Sequence, residues 1–270
     1  MNDNNSELRR LIERTQVFLL DMDGTVYIDD EPIGNMSATL DAVRNSGRKI
    51  VYCTNNSSKT QEEYVRKLQR LGLYDPCDLV YTSGMATIEY LQEYFPEKRV
   101  YLVGTDALRK SFSDAGIILC EDEADVAVLA YDTTLTFDKL AKINELIVCG
   151  KPYIATHPDA VCPAKGVYPP DVGSFIQLLK CSSGREPDVI CGKPYTVMGK
   201  RLMARLGVCA SEVTMTGDRP HTDIRFGNNN GFNTLLVLSG ETDGKTASAL
   251  PESDRPSAIL PSLNEIVKYL

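Results

Sequence analysis

The sequence predicts an α/β protein built on a parallel sheet, and three features carry that expectation. Short apolar runs alternate with longer stretches of helical periodicity, the pattern of strands joined by crossover helices. The clearest runs end abruptly in small polar residues, as at Asp21 and Thr54. Past a Pro-rich stretch and a polar segment the first pattern resumes, so a core formed from both ends of the chain encloses an α/β insert. The expected partition is residues 1–83 with 188–270 for the core and 84–187 for the insert.

Each element has a local reason. Residues 17–20 are an apolar strand, stopped by Asp21. Residues 37–46 read as a helix: Ser37 can cap it, Leu40 and Val43 share a face, and Gly47 stops it. A second strand covers 49–53. The next helix, 60–71, has Thr60 and Glu63 spaced as a capping box and Gly72 as terminator. A strand at 79–82 and a helix at 86–94 close the first segment. The alternation restarts near Arg99 with strands at 100–103, 117–119, 126–130 and 153–156, and helices at 107–115 and 137–148. Residues 158–170 are irregular and rich in Pro, a helix follows at 172–179, and the polar segment 181–188 reads as a linker. Strand 189–191, helix 196–206 and strands 213–216 and 234–238 then return to the first style.

Composition narrows the function. With 270 residues, 43% apolar and 24% charged, the chain has the make-up of a globular protein. No run of about 18 apolar residues offers a membrane span. The residues before Val17 lack the apolar stretch of a secretory signal. A net charge of −8, from 29 Lys and Arg against 37 Asp and Glu, argues against a nucleic-acid partner, because phosphate backbones call for a basic face. The eight cysteines are scattered, with no C-x-x-C pair, and read as reduced thiols of a cytoplasmic protein. Two histidines, His157 and His221, leave little room for a His-rich metal centre or a Ser-His-Asp triad. No G-x-G-x-x-G follows a strand, which disfavours a nicotinamide-dependent oxidoreductase.

The chemistry gathers at strand ends, where open α/β sheets bind ligands. Asp21-Met22-Asp23-Gly24-Thr25 directly follows the first strand, and a bend at Gly24 lets two acids approach one point from different directions. One of them suits a nucleophile and the other a general acid and base, while a plain Asp-Gly turn is the bland alternative. Thr54-Asn55-Asn56-Ser57-Ser58 places hydroxyl, amide and backbone donors at the next strand end, where they suit phosphoryl oxygens or simply form a turn. Gly192-Lys193-Pro194 brings an ammonium to a third strand end. The stretch from Thr216 to Asp223 supplies two acids, Asp218 and Asp223, for a Mg²⁺ ligand and a group supporting it, or an N-cap near Thr222.

These four elements, in this order, resemble the haloacid dehalogenase superfamily of phosphohydrolases across the whole chain. More narrowly, LDMDGTVY, CTNNSS, CGKPY and TGDRPHTDI followed by GNNNGFNTLLVLSGET are similar to its subclass IIA, the NagD-type or nitrophenylphosphatase-like group. One departure is Pro220, where many members carry Leu. The resemblance implies a Rossmann-like core with an α/β cap of the C2 type inserted between the second and third motifs, where the insert is expected. It implies a Mg²⁺-dependent phosphatase acting on a small phosphate monoester such as a sugar phosphate or nucleotide. Asp21 is then the nucleophile, Asp23 the acid and base, and Asp21, the Asp23 carbonyl and Asp218 the metal ligands, with Asp223 behind them. Thr54, Asn55 and Lys193 hold the phosphate. In the cap, His157 and Asp159 select the leaving group, or the stretch is a surface turn. Cap-mediated homodimers occur in the subclass and leave this chain's assembly open. A phosphotransferase or phosphomutase on the same fold, or a catalytically idle ligand-binding module, are the alternative readings.

Overall fold

The computed structural model describes residues 2–164 and 166–270, with side chains from residue 6 onward. The strands are β1 (Val17–Leu20), β2 (Tyr27–Ile28), β3 (Glu31–Pro32), β4 (Lys49–Thr54), β5 (Leu79–Thr82), β6 (Arg99–Val103), β7 (Ile118–Leu119), β8 (Val126–Leu129), β9 (Tyr153–Ala155), β10 (Val189–Ile190), β11 (Val213–Gly217), β12 (Asn233–Val237) and β13 (Ala258–Leu260). The helices are α1 (Asn2–Arg14), α2 (Met36–Asn45), α3 (Gln61–Arg70), α4 (Ser83–Tyr94), α5 (Asp106–Asp114), α6 (Phe137–Val148), α7 (Val172–Ser183), α8 (Thr196–Leu206), α9 (Arg225–Asn230) and α10 (Gly244–Ala247). The chain divides into two compact units. The first comprises Met1–Cys53, Tyr64–Tyr81 and Gly199–Leu270, and the second Thr54–Glu63 and Thr82–Met198.

A six-stranded sheet, in the order β13-β12-β11-β1-β4-β5, organises the first unit. The pairs from β13 through to β4 are parallel. All four residues of β1 are buried, as expected for a central strand covered on both faces. Phe18 and Leu20 pack with Met36, Leu40 and Val43 of α2. Because β1 lies between β4 and β11, the strand order reverses at β1, and the carboxyl ends on either side of it form the crevice such sheets use for ligands. The capping box at Thr60 is present: Glu63 N donates to Thr60 Oγ1 (3.2 Å), and Thr60 N donates back to Glu63 Oε2 (2.7 Å). The sequence reading held no element before Val17. In the structure α1 buries Leu8, Leu11 and Ile12, which share one face at helical spacing beneath a mostly polar sequence.

The second unit has its own parallel sheet, in the order β10-β9-β8-β6-β7. Its core joins Val103, Ala127 and Leu129 to Ile143 and Ile147 of α6 and to Ile176 and Leu179 of α7. Two differences from expectation have local causes. Helix α7 runs on to Ser183, through the start of the segment expected as a linker, because its terminator is Gly184 in the left-handed region (φ 72°). Strand β10 pairs with β9 rather than resuming the first sheet. It is only two residues long, too short for its own pattern to show which sheet it joins. The crossover through α7 brings it back beside β9.

Among the described residues no helix is long and apolar enough to cross a membrane. None of the eight cysteines, all of them among the described residues, is in a disulfide, and Cys53 and Cys191 are buried.

Candidate active site

In the first unit the strand register brings the acids together. Leu20 of β1 lies opposite Thr216 of β11, and Asp21 N donates to Thr216 O (2.9 Å), so Asp21 and Asp218 leave adjacent strand ends side by side. Beyond Asp21 the chain turns sharply. Val26 N reaches Met22 O (2.9 Å), Gly24 N reaches Tyr27 O (2.8 Å), and Gly24 adopts φ 83°, open to glycine but strained for other residues. Space sets a second requirement there, since a Cβ on Gly24 would overlap the Asp218 carboxylate. After β11 the chain makes a π-helical turn, Pro220–Ile224, that carries Asp223 back toward the strand end.

Asp21, Asp218 and Asp223 are all buried, and one carboxylate oxygen from each lies within 4.8 Å of the others. Three anions so close in a buried site repel one another. Burial first, and then the charges of Asp21 and Asp223, push the Asp218 carboxyl up to about 7. Asp218 Oδ2 accepts from Glu241 N (2.7 Å), while Oδ1 is buried and has no hydrogen-bond partner. A set of hard oxygen donors with an unpartnered buried carboxylate oxygen fits a divalent cation such as Mg²⁺ or Ca²⁺. Asp23 is exposed, just beyond this cluster in sequence.

A pH dependence follows. Because the folded-state pKa of Asp218 is raised above its unfolded value, the folded protein keeps a proton that the unfolded chain gives up. The contribution of this group to stability is therefore complete below about pH 4 and is lost as pH rises through about 7. Cation binding needs the deprotonated form, so added Mg²⁺ should restore that stability increasingly as pH rises. The Mg²⁺-induced rise in Tm should be small near pH 5.5 and reach roughly 5 °C near pH 8. Differential scanning fluorimetry in chelator and in Mg²⁺ checks this, and a Mg²⁺ shift larger at pH 5.5 contradicts it.

The second unit holds the remaining expected residues. Thr54 ends β4, and its Oγ1 accepts from Asn56 N (3.2 Å). Lys193 is fully buried. Asn55 grips the Lys193 backbone at two points: its Oδ1 accepts from Lys193 N (2.8 Å) and its Nδ2 donates to Lys193 O (2.9 Å). The same Nδ2 donates to both carboxylate oxygens of Asp159 (3.1 and 3.2 Å), which fixes the orientation of the amide. Both amide hydrogens of Asn55 are thus engaged, so of its donors the backbone N–H rather than the side chain would serve a phosphoryl oxygen. Gly192 has no room for a side chain, since a Cβ would stand 2.7 Å from Thr156 O and 2.9 Å from the His157 Cβ.

The surface-turn reading of His157 is overturned. The imidazole is fully buried, with Nδ1 3.0 Å from Thr156 Oγ1 and Nε2 3.0 Å from Asp171 Oδ1. Thr156 Oγ1 lies 3.1 Å from Ser57 Oγ, which accepts from Tyr131 N (3.1 Å). The contacts thus run from Tyr131 N, which can only donate, through Ser57 and Thr156 to both ring nitrogens of His157 and on to Asp171. Asp171 also caps α7 through Val172 N (2.6 Å). His221, by contrast, is exposed.

The structure thus brings together Asp21, Asp218 and Asp223 in one unit, and Asn55, Asp159 and Lys193 in the other. Sequence reasoning missed two contributors. Asp171 carried only the signal of an acid just before a helix. Residues 239–242 (Ser-Gly-Glu-Thr) stood in a quoted motif without a role, yet they wrap Asp218.

Comparison with known proteins agrees with this architecture. A family model described as haloacid dehalogenase-like hydrolase matches residues 18–118, and an HAD-hydrolase-like model matches 190–266. The chain is 34% identical to an acid sugar phosphatase of Staphylococcus epidermidis over 226 residues, 83% of this chain and 87% of the relative. Its fold is similar to the crystal structure of a 4-nitrophenylphosphatase from Thermotoga maritima, with a TM-score of 0.92 and 38% identity over 96% of this chain and 98% of that one. It is also similar to a glycerol phosphate phosphatase of Mycobacterium tuberculosis in complex with magnesium, with a TM-score of 0.87 and 28% identity over 95% and 77% of the two chains.

Proposed function

Because this chain belongs to the haloacid dehalogenase-like hydrolases, in their NagD-type, nitrophenylphosphatase-like branch, and is a phosphoric monoester hydrolase, we propose that it cleaves a small phosphorylated metabolite through an aspartyl phosphate on Asp21. The observation that carries this reading is the trio of buried carboxylates at the ends of β1 and β11, with Asp218 Oδ1 unpartnered. The names of the relatives, acid sugar phosphatase and glycerol phosphate phosphatase, favour a sugar or polyol phosphate as substrate.

In this mechanism the carboxylates of Asp21 and Asp218 and the carbonyl of Asp23 would hold Mg²⁺, with Asp223 supporting them. The cation supplies positive charge that offsets repulsion between the phosphoryl group and the attacking carboxylate. Asp21 forms a bond to phosphorus as the ester P–O bond breaks, and Asp23 gives its proton to the leaving oxygen. Asp23 then takes a proton from water. The water oxygen attacks phosphorus, the bond to Asp21 breaks, and inorganic phosphate leaves. Thr54 and the Lys193 ammonium steady the equatorial oxygens. Asn55 acts on Lys193 by holding its backbone, and Asp159 acts on Asn55. Residues 84–187 serve as a substrate-selecting cap, an assignment supported by the separate sheet that their four strands build together with β10. His157 contributes to selection by setting the course of the loop to Asp159.

Phosphate release from 4-nitrophenyl phosphate and from a panel of sugar, polyol and nucleotide monophosphates tests the reading, together with acid-quench labelling of the protein. Mg²⁺-dependent release, with kcat/KM highest for a sugar or polyol phosphate and a transient phosphoprotein, is expected. Absence of both release and labelling overturns it.

Two substitutions test the phosphate side. Lys193→Met removes the buried cation and should lower kcat/KM by about 100-fold, the scale of a lost charged transition-state contact. Asn55→Asp sets a like charge against Asp159 and removes the donor to Lys193 O, and should cost about tenfold or more, whereas adding Asp159→Asn restores an amide–carboxylate pair and should recover part of the loss. Steady-state kinetics of the two single variants and the double variant check this. Equal losses in the Asn55→Asp single variant and the double variant count against the positioning role.

A further inference from the structure

Residues 239–242 follow β12, which runs parallel to β11 with Leu236 opposite Gly217, so the chain leaving β12 passes directly beside Asp218. Three donors of this segment then reach Asp218 or the turn beside Asp21. Glu241 N donates to Asp218 Oδ2 (2.7 Å), Thr242 Oγ1 donates to Asp218 O (2.6 Å), and Ser239 Oγ donates to Gly24 O (2.7 Å). The segment therefore ties the loop that carries Asp218 to the turn that follows Asp21 and Asp23. The remaining space is filled by contact. A Cβ on Gly240 would overlap the Asp218 carboxylate, as would one on Gly24, so Oδ2 lies packed between two glycines. Gly240 does not adopt a positive φ, so it is room rather than backbone freedom that this position requires.

The consequence is an asymmetric carboxylate. Oδ2 is confined and hydrogen-bonded, while Oδ1 is equally buried and has no partner. Left to rotate, a carboxylate among two other anions would turn its charge away from them, and aiming it at a shared cation would cost that freedom each time one bound. A carboxylate held in advance avoids the cost. We propose that residues 239–242 are the positioning element of the cation site, with Thr242 and Gly240 fixing Asp218 so that Oδ1 alone faces the ion. This inference rests on the metal-site reading of Asp218 given above. Thr242 is 5% exposed and the ligand it supports 1%, so its hydroxyl acts on Asp218 through a bond shielded from water.

The test is Mg²⁺ binding measured by isothermal titration calorimetry without substrate, on the full chain, for wild type, Thr242→Val, Thr242→Ser and Gly240→Ala. Thr242→Val keeps the shape and removes the donor to the Asp218 carbonyl, and its Mg²⁺ Kd should rise by about tenfold, the range expected when a buried hydrogen bond that fixes the ligand's backbone is lost. Thr242→Ser keeps the hydroxyl and should return most of that affinity. Gly240→Ala displaces Oδ2 and should weaken binding more than Thr242→Val. Thermal melts in chelator separate the alternatives, since a merely structural role lowers Tm without changing Kd. Should Gly240→Ala fail to fold, the Thr242 pair decides. If wild type binds Mg²⁺ and Thr242→Val binds it with the same Kd, the positioning role is wrong. If wild type itself shows no Mg²⁺ binding, the metal-site reading falls, and this inference falls with it.

Discussion

Substitution of Asp21 by Asn should bring phosphatase turnover to background, a loss on the order of 10⁴-fold or more. The change preserves the shape of the side chain and the backbone bond from residue 21 to Thr216 O, so the sheet should persist. It removes the attacking carboxylate, and an amide oxygen is too weak a nucleophile to displace an alkoxide from phosphorus. It also removes one of three negative charges from the buried cluster, so the variant should be no less stable than wild type in chelator, which excludes unfolding as the cause of inactivity. Asp23→Asn should behave differently in kind, because it spares the nucleophile and loses only proton transfer. With a good leaving group it should form phosphoenzyme and release it slowly, on the scale of the 10²- to 10⁴-fold that acid–base catalysis typically contributes (about that range). Rapid-quench labelling distinguishes the two variants. An Asp21→Asn enzyme that retains a tenth of wild-type turnover, or still labels, contradicts the covalent mechanism.

Chelation should likewise abolish turnover, with full recovery in Mg²⁺ and none in Ca²⁺. Burial and the charges of Asp21 and Asp223 outweigh the opposing charge of Arg219 at Asp218, so an ion from solution improves the charge balance of the cluster. Without it the attacking carboxylate meets a phosphate dianion beside two further anions, and at about 4 Å each such pair is worth roughly 4 kcal/mol of repulsion at an intermediate effective dielectric. Mg²⁺ holds a small, near-octahedral oxygen set, whereas Ca²⁺ accepts longer bonds and more ligands and so allows the nucleophile to drift from the line of attack. Activity titrated with each metal after chelator treatment checks this. Turnover undiminished in excess chelator, or equal in both metals, contradicts the role given to Asp218.

How much of this was legible beforehand depended on whether the signal was local. The strand before Asp21, the turn at Gly24 and the capping box at Thr60 each lie within a few residues, and the structure has all three. Helix α1 and the pairing of strand β10 escaped for the opposite reason. Three apolar residues in a polar segment become an element, and a two-residue strand finds its sheet, only once a neighbouring surface is present to cover or pair with them. The left-handed stop at Gly72 (φ 69°), just past α3, was readable because glycine is the residue that tolerates it.

At the site the same division holds. The residue types and their order along the chain were enough to mark Asp21, Asp23, Thr54, Lys193, Asp218 and Asp223, since chemistry at strand ends recurs in short motifs. The partners of those residues were not readable. Asn55 looks like any short donor in a turn until the fold sets its amide against Lys193 and Asp159, more than a hundred residues away. His157 sits in what sequence alone presents equally as a surface turn, and only packing shows it buried with both nitrogens engaged. The segment after β12 has no chemistry of its own. Parallel pairing with β11 lays it over Asp218 and leaves a single carboxylate oxygen without a partner. The sequence by itself therefore determined which charged and polar groups stand at which strand ends, because those signals are carried by adjacent residues. Only the tertiary structure decided which atoms of those groups are held and which are left to bind, because hydrogen bonds and close contacts between distant segments exist only after the chain has folded.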